Sequence, residues 1–282
     1  MSLDRRKLLV RKEIDKTSVN QANRDDRGDH KLVLQHVHKV FHHGRSSLSV
    51  LDDIHITVNT GAFVTLIGPS GCGKSTLFNI VAGLDTPSAG EIILDGDVNG
   101  VRAGKVGYMP QAPSLLPWRT VEENVLLGLD VLRRPRVQAR KQAQTMLKQF
   151  GLNEFAQHYP ATLSGGMRQR VALLRTILFN QTLLLLDEPF GALDALTRLS
   201  LQMWLLDVWQ QFHASVLFIT HDVREAILLS DRIYVLSARP ATVLRMVEVD
   251  LPRPRQRDYL AYPASVALEQ ELLDLLMKEQ RI

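Results

Sequence analysis

The chain has 282 residues, of which 45% are hydrophobic, and its formal net charge is +4 at pH 7. This hydrophobic content predicts a globular protein with a sizeable core and excludes an intrinsically disordered chain. The charge is too small to diagnose a nucleic-acid partner, and it is equally compatible with an anionic membrane surface.

A single cysteine, Cys72, excludes an intrachain disulfide and favours a reducing compartment. The apolar stretch at residues 8–10 is far too short for the core of a signal peptide. No stretch approaches the roughly 18 consecutive apolar residues that a membrane-spanning helix needs. We therefore expect a cytosolic protein, and if it works at a membrane, another chain must do the spanning.

The first predicted elements are strands. Residues 1–30 are polar, mixed in charge and without sustained periodicity, which predicts a poorly ordered extension. Apolar residues then alternate over 32–40 and again over 51–58, as in the strands of a β region. A further strand is predicted over the apolar run 62–67, which leads directly into a glycine-rich segment.

This segment has the glycine spacing of a phosphate-binding loop, and it comprises Gly68, Pro69, Ser70, Gly71, Cys72, Gly73, Lys74, Ser75 and Thr76. Glycines let the backbone turn so that its N–H groups face an anion, and the helix that follows presents its positive end to the same anion. Lys74 would reach the β- and γ-phosphates, with the Ser75 hydroxyl on Mg²⁺. The motif predicts that the chain binds a nucleotide, against the alternative of a chance match in a glycine-rich turn.

The helix after the loop is predicted to stop near Gly83 and to bury one face through Leu77, Phe78, Ile80, Val81 and Leu84. Between about residues 112 and 167 the pattern changes. Helices are predicted over 121–129 and 139–150, and no strong strand signal separates them. We interpret this region as an inserted helical subdomain.

Beyond the insertion, strands are predicted over 183–186, 216–219 and 233–236, with helices between them. One of these helices contains Leu196, Leu199, Met203 and Leu206. The pattern predicts an α/β fold: a P-loop NTPase core with a parallel sheet flanked by helices, preceded by an antiparallel β region. In the tail, a helix that packs on the core or on a partner is predicted from Val266, Leu268, Leu272, Leu275 and Leu276.

Two adjacent acids, Asp187 and Glu188, follow four leucines at the end of a predicted strand. A carboxylate in this position can hold Mg²⁺, and its neighbour can accept a proton from the water that attacks the γ-phosphate. The alternative, a polar strand end with solvated acids, is disfavoured by the upstream loop. His221 follows another apolar strand, at the edge where open α/β sheets bind their ligands, and can contact a γ-phosphate there.

Residues 163–170 read Leu-Ser-Gly-Gly-Met-Arg-Gln-Arg and resemble the signature sequence of the ATP-binding cassette (ABC) ATPases. The order of the other motifs is also similar to that family, with the glycine loop first, then Gln111, the signature, the acidic strand end, Asp194 and His221. The resemblance covers residues 32 to about 240. We accordingly divide the chain into the extension at 1–30, an ABC ATPase domain at 31–250 and a tail at 251–282.

The resemblance implies Mg²⁺-dependent ATP hydrolysis by two copies that close head to tail on two ATP molecules. Ser164, Gly165 and Gly166 of one copy would then contact the γ-phosphate bound to the other copy's loop. Asp194 resembles the residue that crosses this interface. The serine-glycine turn opens a helix, whose free N–H groups can bind an anion.

Further roles follow from the same resemblance. Gln111 resembles the switch glutamine that senses Mg²⁺ and the attacking water, so it joins Lys74, Glu188 and His221 as a catalytic candidate. It also joins Ser75 and Asp187 as a candidate metal ligand. Phe41 falls where the family usually stacks an aromatic ring on adenine. The alternative for Phe41 is a buried aromatic residue of a strand.

Residues 116–125, with Met167 after the signature glycines, are similar to the nitrate, sulfonate and taurine importer group, which includes relatives for pyrimidine precursors. This implies a peripheral subunit at the cytoplasmic face of the inner membrane that energises uptake of a small solute. Its partners would be a separate permease and, indirectly, a substrate-binding protein, with no nucleic acid. Residues 111–118 would lie near the groove that receives a permease helix, unless Leu115, Leu116 and Trp118 merely cover the core of the insertion.

Two other functions stay open. A soluble cassette ATPase acting on nucleic acid or ribosomes typically has a long coiled-coil insertion or two cassettes in one chain, and this sequence has neither. A P-loop kinase would leave the Ser-Gly-Gly-Met turn unexplained. The solute itself is selected by the binding protein and the permease, so these residues do not identify it.

Overall fold

The computed structural model describes residues 30–44, 46–133, 135–179 and 182–280, so the predicted extension lies outside the described residues except for His30. The chain forms two compact units. The first unit contains the described residues up to Gly73, together with Pro87–Gly100 and the residues from His221 onward. The second unit contains Lys74–Thr86 and Val101–Thr220.

The described strands are β1 (His30–His43), β2 (Ser46–Asn59), β3 (Phe63–Ile67), β4 (Ala89–Leu94), β5 (Asp97–Val98), β6 (Gly107–Met109), β7 (Leu183–Asp187), β8 (Ser215–Ile219), β9 (Arg232–Leu236) and β10 (Val243–Glu248). The described α-helices are α1 (Lys74–Val81), α2 (Val121–Val131), α3 (Arg136–Gln149), α4 (Gly165–Leu178), α5 (Ala195–Phe212), α6 (Val223–Leu229) and α7 (Pro263–Gln280). Short 3₁₀ turns span Asn153–Phe155, Pro160–Thr162 and Arg257–Ala261.

In the first unit, β1, β2, β4 and β5 form an antiparallel sheet in the order β2-β1-β4-β5. One face of this sheet is apolar and fully covered, since Leu32, Leu34, Val37, Ile54 and Ile56 are at most 1% exposed. In β2, Ile54 and Ile56 alternate with the less buried Asp53 and His55, as in a strand with one buried face, whereas residues 31–34 of β1 are buried on both faces. The prediction of an antiparallel β region is therefore confirmed.

The first unit also contains β3, which runs parallel to β9, and β10, which runs antiparallel to β9. All five residues of β3 are buried. The tail helix α7 packs on this part of the unit: Leu272 is fully buried in a cluster with Ile67, Ile227 and Ile233. An ion pair between Arg224 and Glu269, with the Nε to Oε1 distance at 2.7 Å, links α6 to α7. The tail thus covers apolar residues of its own unit.

In the second unit, β6, β7 and β8 are parallel neighbours, with Leu184 opposite both Gly107 and Val216. All five residues of β7 and of β8 are buried, as expected for parallel strands that are covered on both faces. Parallel strands joined through helices, with an antiparallel region at the start, confirm the predicted α/β fold class.

The region predicted as a helical insertion contains α2 and α3, and the described residues between Met109 and Leu183 include no strand. Helix α2 begins at a reciprocal cap. The Thr120 hydroxyl accepts a hydrogen bond from the Glu123 N–H, and the Glu123 carboxylate accepts one from the Thr120 N–H. This arrangement satisfies N–H groups that the first turn of a helix leaves free. No helix in the described part of the chain is long and apolar enough to span a membrane.

One detail of the predicted helices is wrong, the burial of Leu84. Leu84 is 67% exposed, because α1 ends at Val81 and the chain turns away at Gly83, whose φ is +75°. The predicted helix that contains Leu196 is present as α5, which buries Leu201, Gln202, Leu205, Leu206 and Val208 and leaves Leu196 78% exposed. Apolar residues surround much of α5, so their spacing does not identify the side that the fold covers.

The packing of the tail helix generates a prediction for stability. Leu272→Ala removes a fully buried side chain and leaves a cavity, so we expect the free energy of unfolding to fall by about 2–5 kcal/mol. Leu273→Ala is the matched control. Because Leu273 is 37% exposed, its truncation should lower the free energy of unfolding only slightly. Urea denaturation of both variants measures the difference, and equal losses would mean that α7 does not stabilise its unit through Leu272.

Candidate active site

Asp187, the last residue of β7, is only 2% exposed. Burial raises the pKa of its carboxyl group, and the nearby charge of Glu188 adds to this effect. A hydrogen bond with Ser75 and the charge of Lys74 lower the pKa, but the net result is a pKa above the ordinary value for Asp. Burial of a carboxylate is costly unless cationic groups or hydrogen bonds compensate it. Because the Ser75 hydroxyl adds a second hard oxygen donor beside this carboxylate, the pair fits Mg²⁺.

The backbone turns at Glu188, directly after β7. Its φ of +47° lies in the left-handed region, which costs a non-glycine residue about 1–3 kcal/mol. Two hydrogen bonds hold the turn: the Glu188 N–H donates to the Ile219 carbonyl at 3.0 Å, and Gln169 Nε2 donates to the Glu188 carbonyl at 3.2 Å. The half-buried side chain of Glu188 is therefore placed by its backbone.

Gln111 contacts this carboxylate, since its Nε2 donates to Glu188 Oε2 at 3.3 Å. Tyr108 lies three residues earlier, on β6, and its hydroxyl donates to Asn79 Oδ1 at 3.1 Å. Burial and the charge of Asp187 raise the pKa of Tyr108 to about 12. The second unit therefore brings together five of the candidate site residues, Lys74, Ser75, Gln111, Asp187 and Glu188, with Tyr108 beside them.

Sequence reasoning missed Gln169 and Tyr108. Gln169 is 3% exposed, donates a hydrogen bond to the turn after β7 and lies within the signature segment at residues 163–170. Its position in that segment was therefore a usable signal. Tyr108 carried no such signal, because its place depends on how β6 pairs with β7.

The signature turn opens helix α4. Ser164 is exposed and caps the helix, because its hydroxyl accepts a hydrogen bond from the Met167 N–H at 3.2 Å. A Cβ atom added at Gly166 would lie 3.0 Å from Leu193 Cδ2, so this glycine lets the turn approach the start of α5. Asp194 is also exposed and caps α5; a hydrogen bond with Thr197 holds the pKa of its carboxyl below the usual value. The second unit thus carries these two capped helix starts side by side.

The glycines of the phosphate-binding segment lie in the first unit, after β3. Gly73 has a φ of +125°, and a Cβ atom added there would lie 2.9 Å from side-chain carbons of Val50 and Leu51. Both the conformation and the space therefore require glycine at this position. Cys72 is buried at 1% exposure, and its N–H donates to the Pro69 carbonyl at 3.3 Å, which closes the turn.

Arg239, in the loop between β9 and β10, binds this segment and was not predicted. Its Nε and Nη2 donate to the Gly71 carbonyl at 3.1 and 2.7 Å. The neighbouring Ala238 N–H donates to Glu279 Oε2 of α7 at 2.9 Å. No sequence signal could have identified Arg239, because it lies 168 residues from its partner.

The other two predicted site residues also lie in the first unit. His221 is exposed and precedes Asp222, which caps helix α6. Phe41 is 43% exposed on β1, and the Lys39 ammonium lies 4.7 Å from the centre of its ring. This exposure excludes the alternative of a buried strand aromatic, while stacking on adenine stays a prediction.

Comparison with known proteins gives consistent matches. A family model described as "ABC transporter" matches residues 51–191. An uncharacterised ABC transporter ATP-binding protein of Methanocaldococcus jannaschii is 41% identical over 92% of this chain and 96% of its own length. An aliphatic sulfonates import ATP-binding protein of Bacillus cereus is 43% identical over 80% of this chain and 89% of its own length.

The nitrate import ATP-binding protein of Synechococcus elongatus is 44% identical over 89% of this chain, which matches 39% of that longer protein. Among solved structures, a dimeric ATP-binding cassette in a post-hydrolysis state with ADP and phosphate bound has a TM-score of 0.70 and 31% identity. That likeness covers 78% of this chain and 100% of the solved chain.

The contact between Arg239 and the glycine segment generates a prediction for ligand binding. Arg239→Gln removes two hydrogen bonds from the Gly71 carbonyl, so we expect ATP affinity to fall about three- to tenfold, in line with about 1 kcal/mol for such contacts. Arg257→Gln changes the net charge equally at an exposed position and is the control. Calorimetric titration with ATP distinguishes the two, and equal affinities would show that Arg239 does not shape the loop.

Proposed function

The chain belongs to the ABC transporter family and is an ATPase, and we propose that it is the ATP-hydrolysing subunit of an importer for a small solute. The observation that carries the proposal is the group formed by buried Asp187, Ser75 and Lys74 beside the Glu188–Gln111 pair. Such a group offers a metal ligand, a phosphate-binding cation and a base within one compact unit.

In this proposal Asp187 and Glu188 have different catalytic roles. Mg²⁺, held by Asp187 and the Ser75 hydroxyl, would neutralise charge on the phosphates. Lys74 binds the β- and γ-phosphates, while the glycines at 68–73 direct backbone N–H groups at them. The Glu188 carboxylate accepts the proton of the attacking water. Gln111 orients that carboxylate through the hydrogen bond between its Nε2 and Glu188 Oε2.

Two copies of the chain would complete each site. The exposed N-terminus of α4, with Ser164 and the two glycines after it, is free to accept a phosphate from a second copy. Asp194, exposed at the adjacent start of α5, would lie at the same interface. The similar solved cassette is a dimer with ADP and phosphate bound, which supports this arrangement. His221 would contact the γ-phosphate, and Phe41 would stack on adenine.

The importer assignment is supported by the loop before α2. Trp118 is 71% exposed, so it does not cover the core of the helical region. The loop is nevertheless held firmly: buried Asn124 donates to the carbonyls of Leu116, Arg119 and Thr120 at 2.9–3.1 Å. Arg175 donates to the carbonyls of Pro113 and Ser114 at 2.8 Å. A rigid loop that presents an exposed tryptophan is well suited to bind a permease helix.

The relatives named for nitrate and aliphatic sulfonate import support a solute of that kind. The resemblance of residues 116–125 adds taurine and a pyrimidine precursor to the candidates. We propose that a substrate-binding protein and the permease select the solute, and that this chain works peripherally at the cytoplasmic face of the inner membrane. A cassette ATPase acting on nucleic acid or ribosomes is the alternative, and none of the relatives reported above is named for such an activity.

The proposed base gives the first test. Glu188→Gln keeps the shape of the side chain and removes the proton acceptor, so we expect hydrolysis to slow about 100- to 10,000-fold while ATP still binds. Dimers should then accumulate when ATP is added, as measured by size-exclusion chromatography with light scattering. Glu154→Gln, at an exposed position in the same unit, is the control and should keep normal activity and remain monomeric after turnover. If Glu188→Gln hydrolysed ATP at the rate of the control, Glu188 would not be the catalytic base.

The proposed docking loop gives the second test. Trp118→Ala removes an exposed side chain, so folding and the ATPase rate of the isolated subunit should not change. Recovery of a hydrophobic permease with the tagged chain in detergent should fall at least about tenfold, as for a tryptophan at the centre of an interface. Phe212→Ala, at the 46% exposed end of α5, is the matched control. Recovery of nucleic acid instead of a membrane protein would favour the alternative function.

A further inference from the structure

Histidines are concentrated in the antiparallel sheet of the first unit. Six of the nine in the chain lie between residues 30 and 55: His30, His36, His38, His42, His43 and His55. Two of them converge on one carboxylate. Asp53 Oδ1 lies 2.8 Å from His36 Nδ1 and 3.0 Å from His55 Nε2. The two ring nitrogens are themselves 3.0 Å apart, so the three atoms form a compact triangle.

The backbone is built irregularly at this place. Between the pairs Leu34–Ile56 and Val37–Ile54, two residues of β1 face one residue of β2, which is a β-bulge that contains His36 opposite His55. Between Val37–Ile54 and Lys39–Leu51, two residues of β2 face one of β1, and this second bulge contains Asp53. Bulges redirect side chains and recur beside functional sites.

Both bulged residues have left-handed backbones, with φ of +51° at His36 and +53° at Asp53. The third strand fits closely against the first bulge. Gly90 of β4 has a φ of +93°, and a Cβ atom added there would lie 2.1 Å from the His36 carbonyl oxygen. Strands β1, β2 and β4 therefore all contact the bulge that contains His36. The left-handed backbone at His36 is unfavourable for a histidine, so the packing of these strands must maintain it.

The triangle has the chemistry of a metal site. Two imidazole nitrogens and one carboxylate oxygen are ligands that Zn²⁺ binds in tetrahedral geometry, in which neighbouring ligand atoms are separated by about 3.3 Å. The three present separations of 2.8–3.0 Å need to open by only about 0.4 Å to reach that value. His36 and Asp53 have side chains that are 66% and 56% exposed, so small rotations can supply this change.

Hydrogen bonding can pair the group, since His36 Nδ1–H and His55 Nε2–H can both donate to Asp53 Oδ1, but the two N–H groups then crowd each other with their nitrogens 3.0 Å apart. In the other tautomers all three atoms present lone pairs to the centre of the triangle. A divalent cation accepts a lone pair from each of the three atoms. His38 Nδ1 accepts a hydrogen bond from the Asp53 N–H at 3.3 Å and lies 3.1 Å from Asp52 Oδ1, so it is occupied and water would complete the fourth position.

We propose that His36, Asp53 and His55 form a zinc-binding site on the antiparallel sheet, separate from the residues assigned to ATP. The metal would join β1 to β2 across the two bulges. Because Zn²⁺ would bind the folded sheet and not an unfolded chain, it would also stabilise the protein against heat. The site offers three protein ligands and one open position, which another ligand can occupy.

Titration of the tag-free chain tests the site. The protein is first treated with a chelator and then titrated calorimetrically with Zn²⁺ alone, without nucleotide, so the result is independent of ATP hydrolysis. We expect one Zn²⁺ per chain, and at least about tenfold weaker binding after His55→Gln or Asp53→Asn. His42→Gln is the matched control, because His42 is exposed on the same strand and lies outside the triangle. Cys72→Ser controls for the thiol and should also bind normally.

Thermal unfolding provides a second measurement on the same proteins. Zn²⁺ should raise the melting temperature of the wild-type chain and of His42→Gln, but not that of the ligand variants. If His55→Gln does not fold, since its side chain is only 15% exposed, the exposed Asp53→Asn variant decides the matter. Absence of stoichiometric binding to the wild-type chain, or binding to Asp53→Asn as tight as to His42→Gln, would overturn the proposal.

Discussion

A carboxyl group buried at the end of a parallel strand is the constraint on which the site depends. Burial alone would favour the protonated form of Asp187, and the neighbouring charge of Glu188 adds to that effect. The Ser75 hydroxyl and the Lys74 ammonium oppose it, and both belong to the helix that begins after the glycine segment. The surroundings of Asp187 therefore favour a bound cation. Mg²⁺, with phosphate oxygens as further ligands, would supply that positive charge.

Backbone conformation, rather than side-chain composition, is decisive at two positions, one in each unit. Glu188 has a left-handed backbone, held through Ile219 and Gln169, and this turn brings its carboxylate to Gln111. In the first unit, Gly73 occupies a space that any side chain would overfill. Both positions hold conformations that are costly in isolation, and the surrounding hydrogen bonds and packing maintain them.

Much of the fold could be predicted because its signals are local. The apolar run of β7 is continuous, so a buried parallel strand follows from its composition, and Gly83 marks the end of α1. The error at Leu84 arose because burial depends on distant neighbours. Leu84 follows the helical spacing but lies beyond the turn, and on α5 the exposed Leu196 likewise shows that an apolar residue need not lie on the covered side. Spacing reports that a helix is amphipathic, whereas the covered side is decided by the elements that pack on it.

The family, the order of the motifs and the residue types of the candidate site follow from the amino-acid sequence, because the glycine loop, the signature and the acidic strand end are each contiguous. The residues that support these motifs come from distant parts of the chain, so folding is needed to identify them. Arg239 reaches Gly71 through a loop 168 residues away, and His36 meets Asp53 and His55 through two bulges on neighbouring strands. Strand register and bulges set these contacts, and both depend on long-range pairing, which no local pattern records.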